Sequence, residues 1–223
     1  MGCALKAVWA RSGRDGSPGK VWLVDPAGPR TEFATGLERP VGLACTGHGL
    51  YVSERGQITS VRELDGDGRA DSHGVFVDNL PASVLHQNNG LVWGPGGQLF
   101  VGQGSATDAD VNDPPNNSIL SMNDSGHISV YATGFRNPFG LAWMDGALYA
   151  TDTGIDPPLV EASPEELDRV EAAQFYGHPY WVGDERRLDE GPAATSPAVM
   201  FTPHASANGV TAAGSQMWSE HSR

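Results

Sequence analysis

Lysine is nearly absent from this sequence: only Lys6 and Lys20 occur in 223 residues. Basic side chains number 14 against 27 acidic ones, a formal net charge of −13. Phosphate binding needs a basic footprint, so a nucleic-acid partner is excluded, and an acidic surface of this kind serves solubility. Cysteine is equally scarce, with Cys3 and Cys45 alone, which rules out a disulfide framework. Whether the two pair is open from sequence; Cys45 lies in a strand-like run and reads as a buried, inert thiol. No apolar run approaches the length of a membrane helix, and the N-terminus lacks the apolar core of a signal peptide. Strand-like sequence follows Met1 almost at once, so the expectation is that any leader lies upstream or is absent. Helical periodicity is missing too. The one helix-start signal is Ser163-Pro164-Glu165-Glu166, with Ser as cap, Pro in the first turn and Glu three residues on.

What the chain does have is turns and aromatic bulk. Glycine (29) and proline (16) make up about a fifth of it, short of the disordered range. A 39% hydrophobic content with six Trp, seven Phe and five Tyr can fill one substantial core. The organising feature is an internal repeat. Arg39-Pro40-Val41-Gly42-Leu43 leads to Leu50-Tyr51-Val52, Asn88-Asn89-Gly90-Leu91 to Leu99-Phe100-Val101, and Asn137-Pro138-Phe139-Gly140-Leu141 to Leu148-Tyr149-Ala150. The anchor glycines 42, 90 and 140 stand 48 and 50 residues apart. Each unit holds two apolar runs around a Gly-containing turn (Gly47-His48-Gly49, Gly94-Pro95-Gly96-Gly97, Asp145-Gly146), which predicts a β-hairpin. Further strands are expected at Ile58 to Val61, Ile119 to Met122 and Ile128 to Tyr131, and a weaker fourth copy at Asn208-Gly209-Val210-Thr211.

A hairpin plus two more short strands every fifty or so residues predicts an all-β protein of propeller blades. A solenoid is the alternative repeat architecture. The expectation is one partial propeller domain over residues 1–223, with units near 20–62, 63–122, 123–172 and 173–223. About four blades would be present, the ring incomplete, and Met217 to Arg223 a tail. An incomplete ring leaves sheet edges open to pairing.

The repeat also says which residues can meet. His86 lies four residues before Gly90 and Arg136 four before Gly140, so both should face one central pocket. The second-strand exits Glu54-Arg55-Gly56, Gln103-Gly104-Ser105 and Asp152-Thr153-Gly154 should rim it. An imidazole there could act as general base, and a guanidinium could recognise an anion. Each residue, taken alone, reads equally well as structural.

Leu85-His86-Gln87 with Gly90-Leu91-Val92-Trp93-Gly94-Pro95, followed by Thr133-Gly134-Phe135-Arg136-Asn137-Pro138-Phe139-Gly140-Leu141-Ala142, resembles the glucose/sorbosone dehydrogenases that depend on pyrroloquinoline quinone (PQQ). Glu166-Leu167-Asp168-Arg169-Val170 and Tyr176-Gly177-His178-Pro179-Tyr180 resemble that family's acidic strand and its Tyr-Gly-Trp-Pro element. The resemblance covers about residues 20–215. It implies a six-bladed propeller holding PQQ with calcium, and a sugar or related alcohol or aldehyde as substrate. His86 would be the base, Arg136 would serve both in catalysis and against the cofactor, and Gln87, Asn137 and Gly154 would contact the cofactor. Gly154 would also help hold its calcium, and Glu166 and Tyr176 would lie at a structural calcium. A periplasmic or extracellular location is implied as well. Three departures stand out: Gln103 replaces an acid of the glucose-oxidising members, His178 replaces the usual Trp, and the later blades are missing.

Glu63-Leu64-Asp65-Gly66-Asp67-Gly68-Arg69-Ala70-Asp71 offers Glu63, Asp65, Asp67 and Asp71 as a calcium loop, though without the distal Glu of an EF-hand. An acidic solvated turn is the simpler reading. The run Asp108 to Asn117 reads as a flexible surface loop. Two other functions remain open: a calcium-dependent, lactonase-like propeller hydrolase using Asn88, Asn89, Asn137 and Asn208, and an inactive fragment.

Overall fold

A computed structural model describes residues 8–11, 17–24, 28–47, 49–83, 85–111, 117–187, 191–213 and 216–221. Cys3, Lys6, His48 and the stretch 112–116 lie outside the described residues. The chain divides into two compact units, 1–80 and 81–223.

In the first unit β1 (Val8–Arg11), β2 (Gly19–Leu23) and β3 (Thr31–Leu37) form a three-stranded antiparallel sheet. β4 (Gly42–Thr46), β5 (Gly49–Glu54), β6 (Gln57–Arg62) and β7 (Ser72–Val77) form a four-stranded antiparallel sheet in chain order. Alternate residues of these strands point inward, and Val21, Phe33, Leu37, Leu50, Val52 and Val61 make one buried cluster. Each such side chain contributes roughly 1.5–3 kcal/mol by leaving water.

The second unit starts with β8 (Asn88–Trp93), β9 (Leu99–Gln103), β10 (Ser118–Met122) and β11 (Ile128–Thr133), again one antiparallel sheet in chain order. β12 (Pro138–Met144), β13 (Ala147–Asp152) and β14 (Glu165–Val170) are joined, after a small hairpin of β15 (Trp181–Val182) and β16 (Glu185–Arg186), by β17 (Val199–Phe201). β18 (Ala207–Ala213) pairs with β19 (Gln216–His221). The innermost strands pack on one another, β12 against β8 and β18 against β12. The anchor glycines make this possible. A Cβ on Gly90 would lie 2.3 Å from the Phe139 carbonyl oxygen, and one on Gly140 would lie 2.8 Å from the Val210 nitrogen. Only a residue without a side chain lets backbones approach so closely. The protein is all-β, a partial propeller of four-stranded blades, and among the described residues no helix is long and apolar enough to cross a membrane.

The three hairpins and the outer strands stand where the repeat puts them. Four expectations change. Each four-stranded sheet begins at its own anchor motif, so the sheets span 42–77, 88–133 and 138–201 and run out of phase with the units expected near 20–62, 63–122 and 123–172. Ser163-Pro164-Glu165-Glu166 starts no helix. Glu165 to Val170 is a strand hydrogen-bonded between β13 and β17, and the Ser163 hydroxyl accepts the Ile155 N–H (2.9 Å) instead of capping. Gln216 to His221 is a paired strand rather than a tail. Cys45 is disulfide-bonded rather than an inert thiol.

Candidate functional site

The second unit gathers its polar residues where strands end. β9 and β13 leave their sheets at Gln103 and Asp152, both buried, and the loops leading into β8 and β12 return beside them. Asp152 latches one such loop: its two oxygens accept the backbone N–H groups of Arg136 (2.8 Å) and Asn137 (2.6 Å). Gln103 holds the other by donating to the Pro81 carbonyl (2.8 Å).

His86 is half-buried, with Nδ1 3.0 Å from the Ser105 carbonyl oxygen. A carbonyl only accepts, so Nδ1 carries the proton and Nε2 the lone pair. Burial, reinforced by the positive charge of Arg136, lowers the His86 pKa from its ordinary value, against a smaller opposing pull from the Ser105 carbonyl. The Ser105 N–H in turn donates to the Arg136 carbonyl (2.8 Å). His86 and Arg136 are therefore connected through the main chain of one residue, Ser105.

The Arg136 side chain is 5% exposed and bonded inside the chain through all three of its nitrogens. Nε donates to Asp108 (2.5 Å), Nη2 to Asp156 (2.6 Å), and Nη1 to the hydroxyl and carbonyl of Thr153 (3.1 and 3.3 Å). Asp108 thus leaves the category of flexible surface loop. Neither aspartate was singled out from sequence, yet a signal exists: each lies four or five residues beyond a second-strand exit, Gln103 or Asp152.

Gly134, Arg136, Asp152, Gly154, Glu166, Tyr176, His178 and Trp181 line one cleft. Gly154, which the resemblance assigns to the cofactor's calcium, and Glu166 and Tyr176, which it assigns to a structural calcium, line this same cleft. The Tyr176 hydroxyl is occupied, donating to the Arg169 carbonyl and accepting the Glu171 N–H (both 2.8 Å), and its ring stacks on Phe135 at 4.7 Å. Its pKa is pushed up to about 12, chiefly by burial. Gln87 donates to the neighbouring Asn88 carbonyl (3.3 Å), and Asn137 accepts from Asn89 across two inner strands (2.7 Å).

Acids accumulate on β13 and β14. Asp152 faces Glu166 across the strand pair, and Asp168 follows on the same face. Burial raises Asp152 to about 7, against the pull of the two N–H donors. Burial and then the Asp152 charge raise Glu166 to about 8. Asp168 rises well above the carboxylate range, from burial and then Glu166, and neither of its oxygens has a hydrogen-bond partner among the described residues. His178, buried with Nε2 unpartnered, drops to about 3 through burial and then the charges of Arg136, His86 and Arg187.

In the first unit Glu63, Asp65 and Asp71 bring carboxylate oxygens within 4.8 Å of one another. Asp67 stands apart from that group and accepts the Arg69 N–H (2.7 Å). Asp71 and Asp65 likewise accept loop amides, from Leu64 (2.5 Å) and Asp67 (3.1 Å).

Comparison with known proteins supports the architecture. The PQQ-bound aldose sugar dehydrogenase of Streptomyces coelicolor superposes with a TM-score of 0.72 at 22% identity, covering 95% of this chain and 70% of that one. An oxidoreductase from Thermus thermophilus described as a glucose dehydrogenase gives 0.69 at 20% identity, with coverage of 96% and 79%. The calcium structure of a Trichoderma reesei enzyme of carbohydrate-active family AA12 gives 0.69 at 16% identity, with coverage of 95% and 71%. Likeness at this level establishes a shared propeller fold. No curated protein sequence matches significantly. The family described as a domain of unknown function, DUF7133, matches residues 27–222, and the chain belongs to that family.

Proposed function

We propose that this chain carries the site of a PQQ-dependent oxidoreductase that oxidises a sugar or a related alcohol or aldehyde, with His86 as base. The observation that carries the reading is the Nδ1 contact of His86 with the Ser105 carbonyl. It fixes the tautomer whose Nε2 takes a proton, and burial keeps the ring neutral and ready. The propeller shared with the Streptomyces coelicolor enzyme, solved in its PQQ-bound form, adds support.

The residues present fit the groups this reading needs. A buried guanidinium suits a carboxylate-bearing quinone; Asn137 follows it in the chain, Gly154 lines the same cleft, and Gln87 stands next to His86 on the loop into β8. Asp152 and Glu166 share one cleft with Gly154, and their carboxylates would supply hard oxygen donors suited to calcium. When bound, the quinone accepts the hydride and calcium polarises its carbonyl. Everything else falls to the chain. Nε2 of His86 takes the substrate hydroxyl proton as the carbon-bound hydrogen departs with its electron pair. Ser105 holds the ring, and Arg136 orients the anionic partner. Asp152 fixes the Arg136 and Asn137 backbone against drift. The substrate becomes a carbonyl compound or lactone, and two electrons pass on to an external acceptor. A disulfide at Cys45 agrees with a periplasmic or extracellular location.

The test is reconstitution of the whole protein with PQQ and calcium, followed by dye reduction with a panel of aldoses and simple alcohols. Reduction with at least one substrate, lost in His86→Ala, is expected. No reduction with any of them, despite bound cofactor, overturns the reading.

A further inference from the structure

The Arg136 fork is already filled by acids of this chain, and the two acids are unequal. Asp108 is 21% exposed and meets Nε; Asp156 is 65% exposed and meets Nη2, while the guanidinium itself is 5% exposed. A buried guanidinium left without an anion is costly. An ion pair whose acid sits mostly in water is worth little, because water replaces the lost contact. Arg136 therefore needs an anion there, but not this particular one. Asp156 belongs to the loop between β13 and β14, which runs from Thr153 to Pro164 without strand pairing. The equivalent exit between β5 and β6 is two residues long, Arg55 and Gly56, so the extra length is what lets an acid reach Arg136.

We propose that Asp156 is a displaceable counter-ion: a ligand carboxylate takes its place on Nη2 of Arg136, and the aspartate swings into solvent. The exchange rests on the quinone reading for the identity of the ligand, but not for the exchange itself, since any small polycarboxylate offers the same group. It is a swap of one ion pair for another, with no covalent step. Asp156 then sets the threshold for binding: it competes with every anionic ligand and gives way only to one that adds contacts of its own.

The experiment compares wild type, Asp156→Asn and Asp156→Glu as whole chains. PQQ binding is followed by quenching of tryptophan fluorescence, Trp181 lining the same cleft. Binding of citrate, a tricarboxylate without redox chemistry, is followed by the rise in melting temperature. Asp156→Asn should bind both about twofold to fivefold more tightly, and Asp156→Glu should behave as wild type. Tighter citrate binding with no PQQ binding in any variant upholds the exchange and sinks the quinone reading. Unchanged or weaker binding of both ligands in Asp156→Asn, or no citrate binding by either protein, overturns the proposal. Should Asp156→Asn fail to fold, Asp156→Ser replaces it with the same expected outcomes.

Discussion

The sheet β4–β7 and the sheet built from β12, β13, β14 and β17 share one template and fill it with opposite chemistry. Leu50 pairs with Val61, Val52 with Thr59 and Glu54 with Gln57; in the other sheet Leu148 pairs with Val170, Ala150 with Asp168 and Asp152 with Glu166. Both exits end on a buried acid that latches the preceding loop, Glu54 through the Glu38 N–H (2.6 Å) and Asp152 through those of Arg136 and Asn137. Around Glu54 the neighbours are donors: the Gln57 amide (2.8 Å) and the Thr59 hydroxyl both give hydrogen bonds to its carboxylate. Around Asp152 the same two positions hold Glu166 and Asp168. One latch is satisfied and closed by a two-residue turn. The other is surrounded by acids that must hold protons or a cation to coexist.

The position four residues before the anchor glycine differs in the same way. It is Glu38 in the β4–β7 sheet, where only the backbone is used, and His86 and Arg136 in the next two. His86→Ala should lower turnover by roughly 10²–10⁴ at unchanged melting temperature. Glu38→Ala should shift stability by no more than about 0.5 kcal/mol. Comparable losses of activity in both would erase the distinction. The acid limb of kcat/KM for wild type should fall below pH ~6.5, since the His86 pKa is lowered.

The latch itself gives the next largest effect. Glu54→Ala strands a loop amide and two donors, and should cost about 2–4 kcal/mol in urea denaturation. In the acid-rich sheet the sign reverses. Asp168→Asn removes a buried carboxylate without partners and should stabilise by about 1–3 kcal/mol at pH 8 without added metal. Destabilisation there would mean that Asp168 has a partner the fold depends on.

The smallest effect is continuous in pH. With Asp152 near 7 and Glu166 near 8, the folded state holds protons that the unfolded chain has released by pH ~5. Fewer protons on the unfolded state make stability fall as pH rises. Their contribution is full below pH ~4 and is lost as pH climbs through about 7 to 8. Melting temperature should therefore decline across that window, and Asp168→Asn should flatten the decline. A rise over the same range would show the acids to be well paired.

The hairpins and the outer strands were legible because each depends on spacing, and the repeat fixes spacing three times over. β14 was not. Ser163-Pro164-Glu165-Glu166 is a sound local helix start, but pairing with β13 and β17 is non-local and prevails. The Arg136 partners were hidden for a related reason: Asp108 and Asp156 lie in loops whose length and course no periodicity sets. The role of Asp152 could be placed but not weighed, since its neighbours Glu166 and Asp168 become a cluster only once the strand register is known.

The anchor glycines have a consequence for how such a chain can change over time. Where Gly90 and Gly140 let β8 meet β12 and β12 meet β18, the distance between blades is set by main-chain atoms common to every sequence. Side chains elsewhere can then be exchanged freely without altering how one blade follows the next. A propeller spaced in this way can tolerate deep divergence, and its fold is shared with enzymes only 16–22% identical to it.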